Sequence, residues 1–457
     1  IIAILGILFT LFTGLLTSFK YLQHWAPCYD FGIFSQMFNY MKETLQPLTT
    51  CERDGLLSHF AVHFSPIYYL LLPFFFIFPS PVTLLMGQAA IIASGLIPLY
   101  LICKRHKLSN AAVILFSLCY VLLPSMANGC FFFLHENKFL TPLILWLAFA
   151  LEKNKWIPSV IFTLLLLAVK EDAPVYAAVL GLYFIVSRRN ISKGALVFVL
   201  SIIYFITVSY FMSKYGLGTM SYRYDNFIYD GSGSLFTVIK AVILNPIYTV
   251  HEAFDEEKIK FILQMLVPLA FMPLMIKKPS RIILLIPFIL LNLMSDYTYQ
   301  HNINFQYTYG SAAFLFYLMI LNYQDMKPGF RCKVLAVAAT SSIFMFMCNT
   351  YYRTSGYESY KTDKNSGAID IIDDALELVP DDSSVAATTF LVASLYDHRE
   401  VYEFESTNHR DEVEYIVLDL RISSDDFSVD DYLNNPIYET VENKPGYIAI
   451  FRNTTVE

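Results

Sequence analysis

Ten side chains in this sequence combine reactive types with spacings that invite chemistry. The run "LLLLAVKEDAPVYAAVLGLYFIV", residues 164–186, sets Lys170, Glu171 and Asp172 in a row among apolar neighbours. Lipid disfavours even one charge at its centre, so three adjacent charges call for a wet or paired setting. Lys170 and Glu171 neutralise each other, which leaves Asp172 in want of a partner. Asp30 sits in "PCYDFGIFSQMFNY". It is an acid for proton transfer or a cap for the helix that follows, since Asp accepts first-turn amide hydrogens. In "CERDGLLSHFAVHFSP", His59 and His63 stand at i and i+4. On one helix face they suit a metal, a substrate phosphate or plain interfacial packing. "NGCFFFLHENKF" carries His135 and Glu136 with Asn137 and Lys138, a polar group or a surface turn. Arg223 lies in "YGLGTMSYRYDNFIYD" and His301 in "SDYTYQHNINFQYTYG". Tyrosine-rich stretches like these two also mark interfacial belts.

The elements that position these groups follow from composition. The chain has 457 residues, 56% hydrophobic, 16% aromatic and 16% charged. Apolar runs recur along it, which describes an α-helical polytopic membrane protein. It opens on "IIAILGILFTLFTGLLTSF", without Met, as a trimmed start would. That stretch lacks a small-residue cleavage site and reads as a spanning helix, not a signal peptide. Clusters of Lys and Arg mark cytoplasmic loops at 104–107, 153–155, 188–193, 277–281 and 327–333. The chain must cross outward and return between neighbouring clusters. This predicts spans near 1–19, 82–103, 111–127, 139–151, 157–169, 173–187, 193–212, 261–276, 281–294, 310–323 and 331–348, about 11 in all, with the N-terminus inside. Only about 30 apolar residues separate Lys155 from Arg188, against roughly 20 for one crossing. Two short helices meeting at Lys170-Glu171-Asp172 satisfy the charges, and Pro174 fits the first turn of the second. The run "PIYYLLLPFFFIF" (66–78) reads as interfacial or re-entrant. With this topology nearly every unusual polar residue lands on the outer side, in five loops: a long first one, 20–65, then those holding His135–Lys138, Lys170–Asp172, residues 213–260 and His301–Gln306. A transporter would set its polar groups at mid-membrane.

Charge divides the chain. Residues 350–457 carry 8 Lys and Arg against 23 Asp and Glu, a net of −15, while the rest is +8. This sets a transmembrane domain at 1–348 and an acidic extracytoplasmic domain at 349–457. In the tail, "AIDIIDDALELV" is an amphipathic helix, and "SVAATTFLVASL", "EYIVLDL" and "GYIAIFRN" are strand-rich, giving a small α/β domain. The seven cysteines show no metal spacing. Cys28 and Cys51 share the first outer loop, as a pair or as two free thiols.

Four stretches taken in order, "YDFGIFSQMFNY", "SHFAVHFSPIYYLLLPFF", "HENKFLTPLILWLAFAL" and "LAVKEDAPVYAAVLGLY", resemble a family of bacterial and archaeal predicted membrane proteins, domain-of-unknown-function family 2079. "QHNINFQYTYGSAAFLF" and the tail segments "SSVAATTFLVASLYDHREVYEF" and "VEYIVLDLR" extend the likeness over nearly the whole chain. That family in turn resembles the GT-C glycosyltransferases, multispanning enzymes whose long first outer loop carries an acidic catalytic residue and whose donors are lipid-phosphate-linked sugars. The resemblance implies a GT-C-like fold and a polyprenyl-phosphate sugar donor. The acceptor would be a glycan or protein at the outer face of the bilayer, and no nucleic acid is involved. It implies a catalytic role for Asp30 and sets His135-Glu136 where such enzymes often place a second acidic or polar group. From the residues themselves, Glu136 and Asp172 join Asp30 as catalytic candidates, and His59, His63, His135, Lys170, Glu171, Arg223 and His301 are candidates to bind substrate, the cations among them at the leaving phosphate. No DxD motif occurs, so no cofactor is assigned, with a divalent metal as the alternative. A lipid-linked sugar flippase and a non-catalytic membrane scaffold are the rival readings.

Overall fold

A computed structural model describes residues 1–218, 221–228, 235–422 and 427–456. Residues 219–220 and 229–234, in the segment expected as an outer loop, lie outside the described residues, as do 423–426 and 457. The chain packs as two units, one of residues 1–14, 61–68 and 87–352, the other of 15–60, 69–86 and 353–457.

Among the described residues, helical segments occupy each of the eleven stretches that the basic loops mark out. Their lengths differ more than a uniform set of crossings would. Ile2–Leu22, Pro81–Arg105, Ile191–Tyr215 and Pro328–Asn349 are long and apolar enough to cross a membrane. Asn110–Leu122 and Pro124–Phe132 would make a fifth span, bent by 47°. Pro124 opens that second piece, where its missing amide hydrogen costs nothing. Trp156–Leu167 and Ala173–Val186 are short, about 18 and 21 Å at 1.5 Å per residue, against a hydrocarbon core of about 30 Å. The stretch expected at 281–294 breaks into a 3-10 segment, Pro279–Leu285, and a π-helical turn, Phe288–Leu293.

At the centre of the first unit lies Tyr309–Asp325, buried from Tyr309 through Tyr323, as a helix apolar on all sides should be. Ala173–Val186 packs on Ile191–Tyr215 where two glycines meet. A Cβ at Gly181 would lie 2.7 Å from the Gly194 carbonyl oxygen, and one at Gly194 equally close to that of Gly181. Only residues without a side chain let two helix backbones approach so far.

The second unit is built on β-structure. Strands β1 (Leu48–Thr49) and β2 (Leu57–Ser58) form an antiparallel pair. The tail adds β3 (Ser384–Ala387), β4 (Glu400–Glu403), β5 (Tyr415–Asp419), β6 (Tyr438–Lys444) and β7 (Ile448–Asn453). Their order is β4-β3-β5-β7-β6, with β3 parallel to β4 and β5, and β7 antiparallel to β5 and β6. Period-two alternation sends Val385, Ala387, Val417, Ile448 and Ile450 to one face. Ala386, Ile416, Leu418, Ala449 and Phe451 go to the other, so both faces are covered. The helix Ala368–Leu376 covers the first face with Ile372, Ala375 and Leu376.

Cys28, Ile33 and Cys51 join that same core from the first loop. By packing, residues 15–60 and 69–86 group with the tail from Arg353 onward. The reason is that the sheet's apolar face needs cover from outside its own hundred residues.

Candidate active site

The first unit gathers its charges at the break between the two short helices. Trp156–Leu167 ends at Ala168, and Ala173–Val186 restarts with Pro174 in its first turn. Lys170, Glu171 and Asp172 are thus held in irregular backbone, where side chains can converge instead of fanning around a helix. The Lys170 Nζ lies 2.7 Å from Glu136 Oε1, with both side chains at 1% exposure or less. Tyr68 donates its hydroxyl to Glu136 Oε2 at 2.6 Å and accepts from the Glu136 backbone N–H at 3.0 Å. His135 Nδ1 is 3.0 Å from that same Oε2. Glu171 takes His63 Nδ1 at 2.8 Å and the Phe64 N–H at 3.2 Å. Lys138, fully buried, donates to the Phe133 carbonyl. Arg223 stacks over the rings of Tyr297 and Tyr307, at 4.8 and 5.1 Å.

Asp172 stands at the N-cap of its helix but makes no side-chain cap bond, and its Oδ1 is shut off from solvent without a hydrogen bond. Burial pushes its carboxyl up to about 6, against the pull of Lys170 and with the push of Glu171. Burial alone would discharge Lys170, yet the carboxylates of Glu136 and Glu171 outweigh it and keep the ammonium charged. Burial holds the His135 imidazole well below its ordinary range, and it lowers His63, helped by the Lys170 charge. With both imidazoles neutral, three carboxylates (Glu136, Glu171, Asp172) face three cations (Lys138, Lys170, Arg223). Such a set can hold an anion and move a proton in one place.

Of the ten residues singled out from the sequence, His63, His135, Glu136, Lys170, Glu171, Asp172 and Arg223 fall in the first unit and share this electrostatic neighbourhood. His301 does not share these contacts; its Nε2 is 3.6 Å from Glu257 Oε2. The helix face expected to carry both His59 and His63 does not form. His59–Ala61 is a single 3-10 turn running into irregular chain, and the two histidines take different partners. His59 Nδ1 lies 2.9 Å from Glu52 Oε2 in the second unit, both side chains buried. Asp30 also lies in the second unit, half-buried in the turn Cys28–Gly32. It does not cap the next helix: Ile33–Thr44 begins at Gly32 with no side-chain cap bond. Tyr68 and Tyr307 went unnoticed in the sequence, hidden in tyrosine-rich runs of the kind that mark interfacial belts. Among the described residues no group of three or more His, Cys, Asp or Glu side chains is placed to hold a metal ion.

The fold is similar to two solved structures of ArnT from Cupriavidus metallidurans. The one bound to undecaprenyl phosphate is 12% identical, with a TM-score of 0.55 over 97% of this chain and 97% of that chain. The apo state is 12% identical, with a TM-score of 0.50 over 93% and 94%. At this identity the likeness is one of fold. No curated protein matches the sequence. Residues 24–448 match the predicted membrane protein family DUF2079, and the chain belongs to that family.

Proposed function

We propose that the protein is a GT-C-type membrane glycosyltransferase that moves a sugar from a polyprenyl-phosphate donor to an extracytoplasmic glycan or protein acceptor, with its acidic tail on the outer side. The observation that carries this reading is the buried, mutually neutralising set of Glu136, Lys170, Glu171, Asp172 and Arg223 at a helix break. It occurs in a fold shared with a protein solved with undecaprenyl phosphate. In the proposed reaction an acceptor hydroxyl attacks the anomeric carbon while a carboxylate takes its proton. The bond to the phosphate oxygen breaks, and polyprenyl phosphate leaves with the electron pair. Lys170 and Arg223 stabilise the departing phosphate, since charge-assisted donors act most strongly where charge develops. His59, His63, His135, Glu171 and His301 are retained as substrate-binding assignments.

The contacts favour different duties for the three acids. Glu136 is already engaged by Tyr68, His135 and Lys170, which suits it to hold the ammonium in place. Asp172 keeps an oxygen without a hydrogen bond and a carboxyl that gains a proton near neutrality, both suited to a base. Asp30 is the second base; it does not cap the helix Ile33–Thr44.

Reconstituted protein should transfer sugar from a polyprenyl-phosphate donor, and Asp30→Asn should lower the rate on the order of 100- to 10,000-fold, as loss of a general base does. The variant's melting temperature, measured beside the rate, separates loss of a base from loss of a structural contact. Transfer at the parental rate by that variant would remove Asp30 from the mechanism.

A further inference from the structure

Beside the charged set of the first unit stand four polar side chains whose oxygens the fold buries and leaves unused. Asn137 Oδ1, Gln300 Oε1, Gln306 Oε1 and Thr308 Oγ1 are shut off from solvent and make no hydrogen bond among the described residues. Each belongs to a residue at 4% exposure or less. Folded chains pair the large majority of such groups, because a buried acceptor without a donor costs stability. One orphan is ordinary. Four in neighbouring turns ask for a common cause.

Three 3-10 turns carry them: Glu136–Phe139, Thr298–His301 and Gln306–Thr308. The last of these packs against both of the others. Asn292 ties two of them together, its amide donating to the Gln300 carbonyl at 2.6 Å and to the Tyr307 carbonyl at 3.1 Å. The turns adjoin the charged set. Asn137 follows Glu136 in the chain, and Gln306 and Thr308 flank Tyr307. Arg223 stacks over the Tyr307 ring, which lies 6.3 Å from the ring of His135. Local structure does not use these oxygens either. Thr308 stands at the N-cap of Tyr309–Asp325, the place where a threonine oxygen ordinarily accepts from the first turn, and makes no cap bond.

We propose that Asn137, Gln300, Gln306 and Thr308 form the subsite that binds the hydroxyl groups of the transferred sugar, a specificity assignment that rests on the glycosyl-transfer reading. All four orphaned atoms accept, and every free hydroxyl of a sugar ring carries a hydrogen to donate. A ring seated against Glu136 and Arg223 would supply the donors that the chain withholds. The Asn and Gln side chains turn about single bonds, so their oxygens can swing to meet it. Sites built to hydrogen-bond a hydroxyl discriminate strongly against a ligand that lacks it, since their polar groups then stay unpaired. The sugar-free lipid phosphate is such a ligand.

The test is binding of decaprenyl phosphate, and of its glucosyl and mannosyl esters, to the full-length protein in detergent by thermophoresis. In the parent at least one sugar should tighten binding tenfold or more over decaprenyl phosphate. Asn137→Leu and Gln306→Met should each remove about two- to tenfold of that gain, as loss of one hydrogen bond does, and leave decaprenyl phosphate binding unchanged. Thr308→Val, close to isosteric, should do the same and keeps the test open where an amide variant fails to fold. An undiminished gain in all three variants would overturn the proposal, because water would then be what meets these oxygens. So would a parent that gains from neither sugar, or loss of decaprenyl phosphate binding in step with its esters. Failure of the transfer reading has a different signature: sugar-dependent binding that falls in these variants, without transfer or hydrolysis of the donor, keeps the subsite and removes the reaction.

Discussion

The pair Glu136–Lys170 offers a prediction that separates holding the fold from doing chemistry. At 2.7 Å and an effective dielectric of about 20, the two charges attract by roughly 6 kcal/mol. Desolvation takes back much of that, because each ion has left water. Removing one partner keeps the desolvation cost and forfeits the attraction, which in buried pairs costs about 3–5 kcal/mol. Lys170→Met should therefore lower stability by that amount. Glu136→Gln should cost about as much, since the amide still takes the Tyr68 hydroxyl but leaves the ammonium short of its nearest counter-ion. The joint variant Lys170→Met/Glu136→Gln should recover most of the loss, because neither charge then remains buried. Thermal and denaturant unfolding of the four proteins in one detergent gives the coupling energy as a double-mutant cycle. Sugar transfer should fail in all three variants, including the one whose stability returns. Strictly additive losses would mean that the two side chains do not act as a pair. A stable double variant that transfers at the parental rate would mean that the pair lies outside the site.

Three further expectations follow from particular contacts. Asp172 gains its proton near pH 6, so transfer that uses it as a base should fall away below about pH 6, and Asp172→Asn should abolish both the rate and that limb of the profile. The linkage has a definite sign. Folding raises this carboxyl above its unfolded value, so its protonated form stabilises the protein below the ordinary aspartate range, and that contribution is lost as pH rises through about 6. Asp172→Asn should accordingly be no less stable than the parent at pH 7 when both are melted side by side. Gly181→Leu should prevent the close approach to Gly194 and reduce the yield of folded protein in size-exclusion runs, whereas Gly329→Ala, with nothing within 4 Å, should not. Cys28 and Cys51 are free thiols buried in one core, with Cys51 donating to the Val401 carbonyl at 3.1 Å. Mild oxidation should link them with loss of two hydrogens by mass, while exposed Cys332 and Cys348 react first with maleimide.

Much of the membrane part could be read directly. Basic clusters and apolar run lengths locate the helical segments because both are local properties, and Pro174 marks the break that exposes Lys170-Glu171-Asp172. What escaped depends on contacts far apart in the chain. Tyr68 is one tyrosine among several until the fold brings it to Glu136, 68 residues away. The shared face of His59 and His63 failed because i, i+4 spacing has meaning only inside an α-helix, and the segment holds one 3-10 turn. In the tail, the strand-rich segments were legible from alternation, but β4 and β6, short or polar on the surface, were not. Asp54 shows the same limit. It accepts from the Thr407 hydroxyl at 2.5 Å and from the Asn408 amides, more than 350 residues away, and nothing local in "CERDG" announces it.

The discontinuous second unit has a consequence for how the protein is made. Residues 15–60 leave the ribosome long before the strands that cover Cys28, Ile33 and Cys51, which begin at Ser384. At about 5–20 residues per second, the roughly 300 residues between 60 and 353 take about 15 to 60 s to synthesise. Throughout that interval the early loop waits without its sheet, with Cys28 and Cys51 open to the surroundings. Nascent chains halted before β7 should therefore be cut by protease within 15–60, and completed chains should resist. Strand β7 thus closes a core that residues 15–60 began.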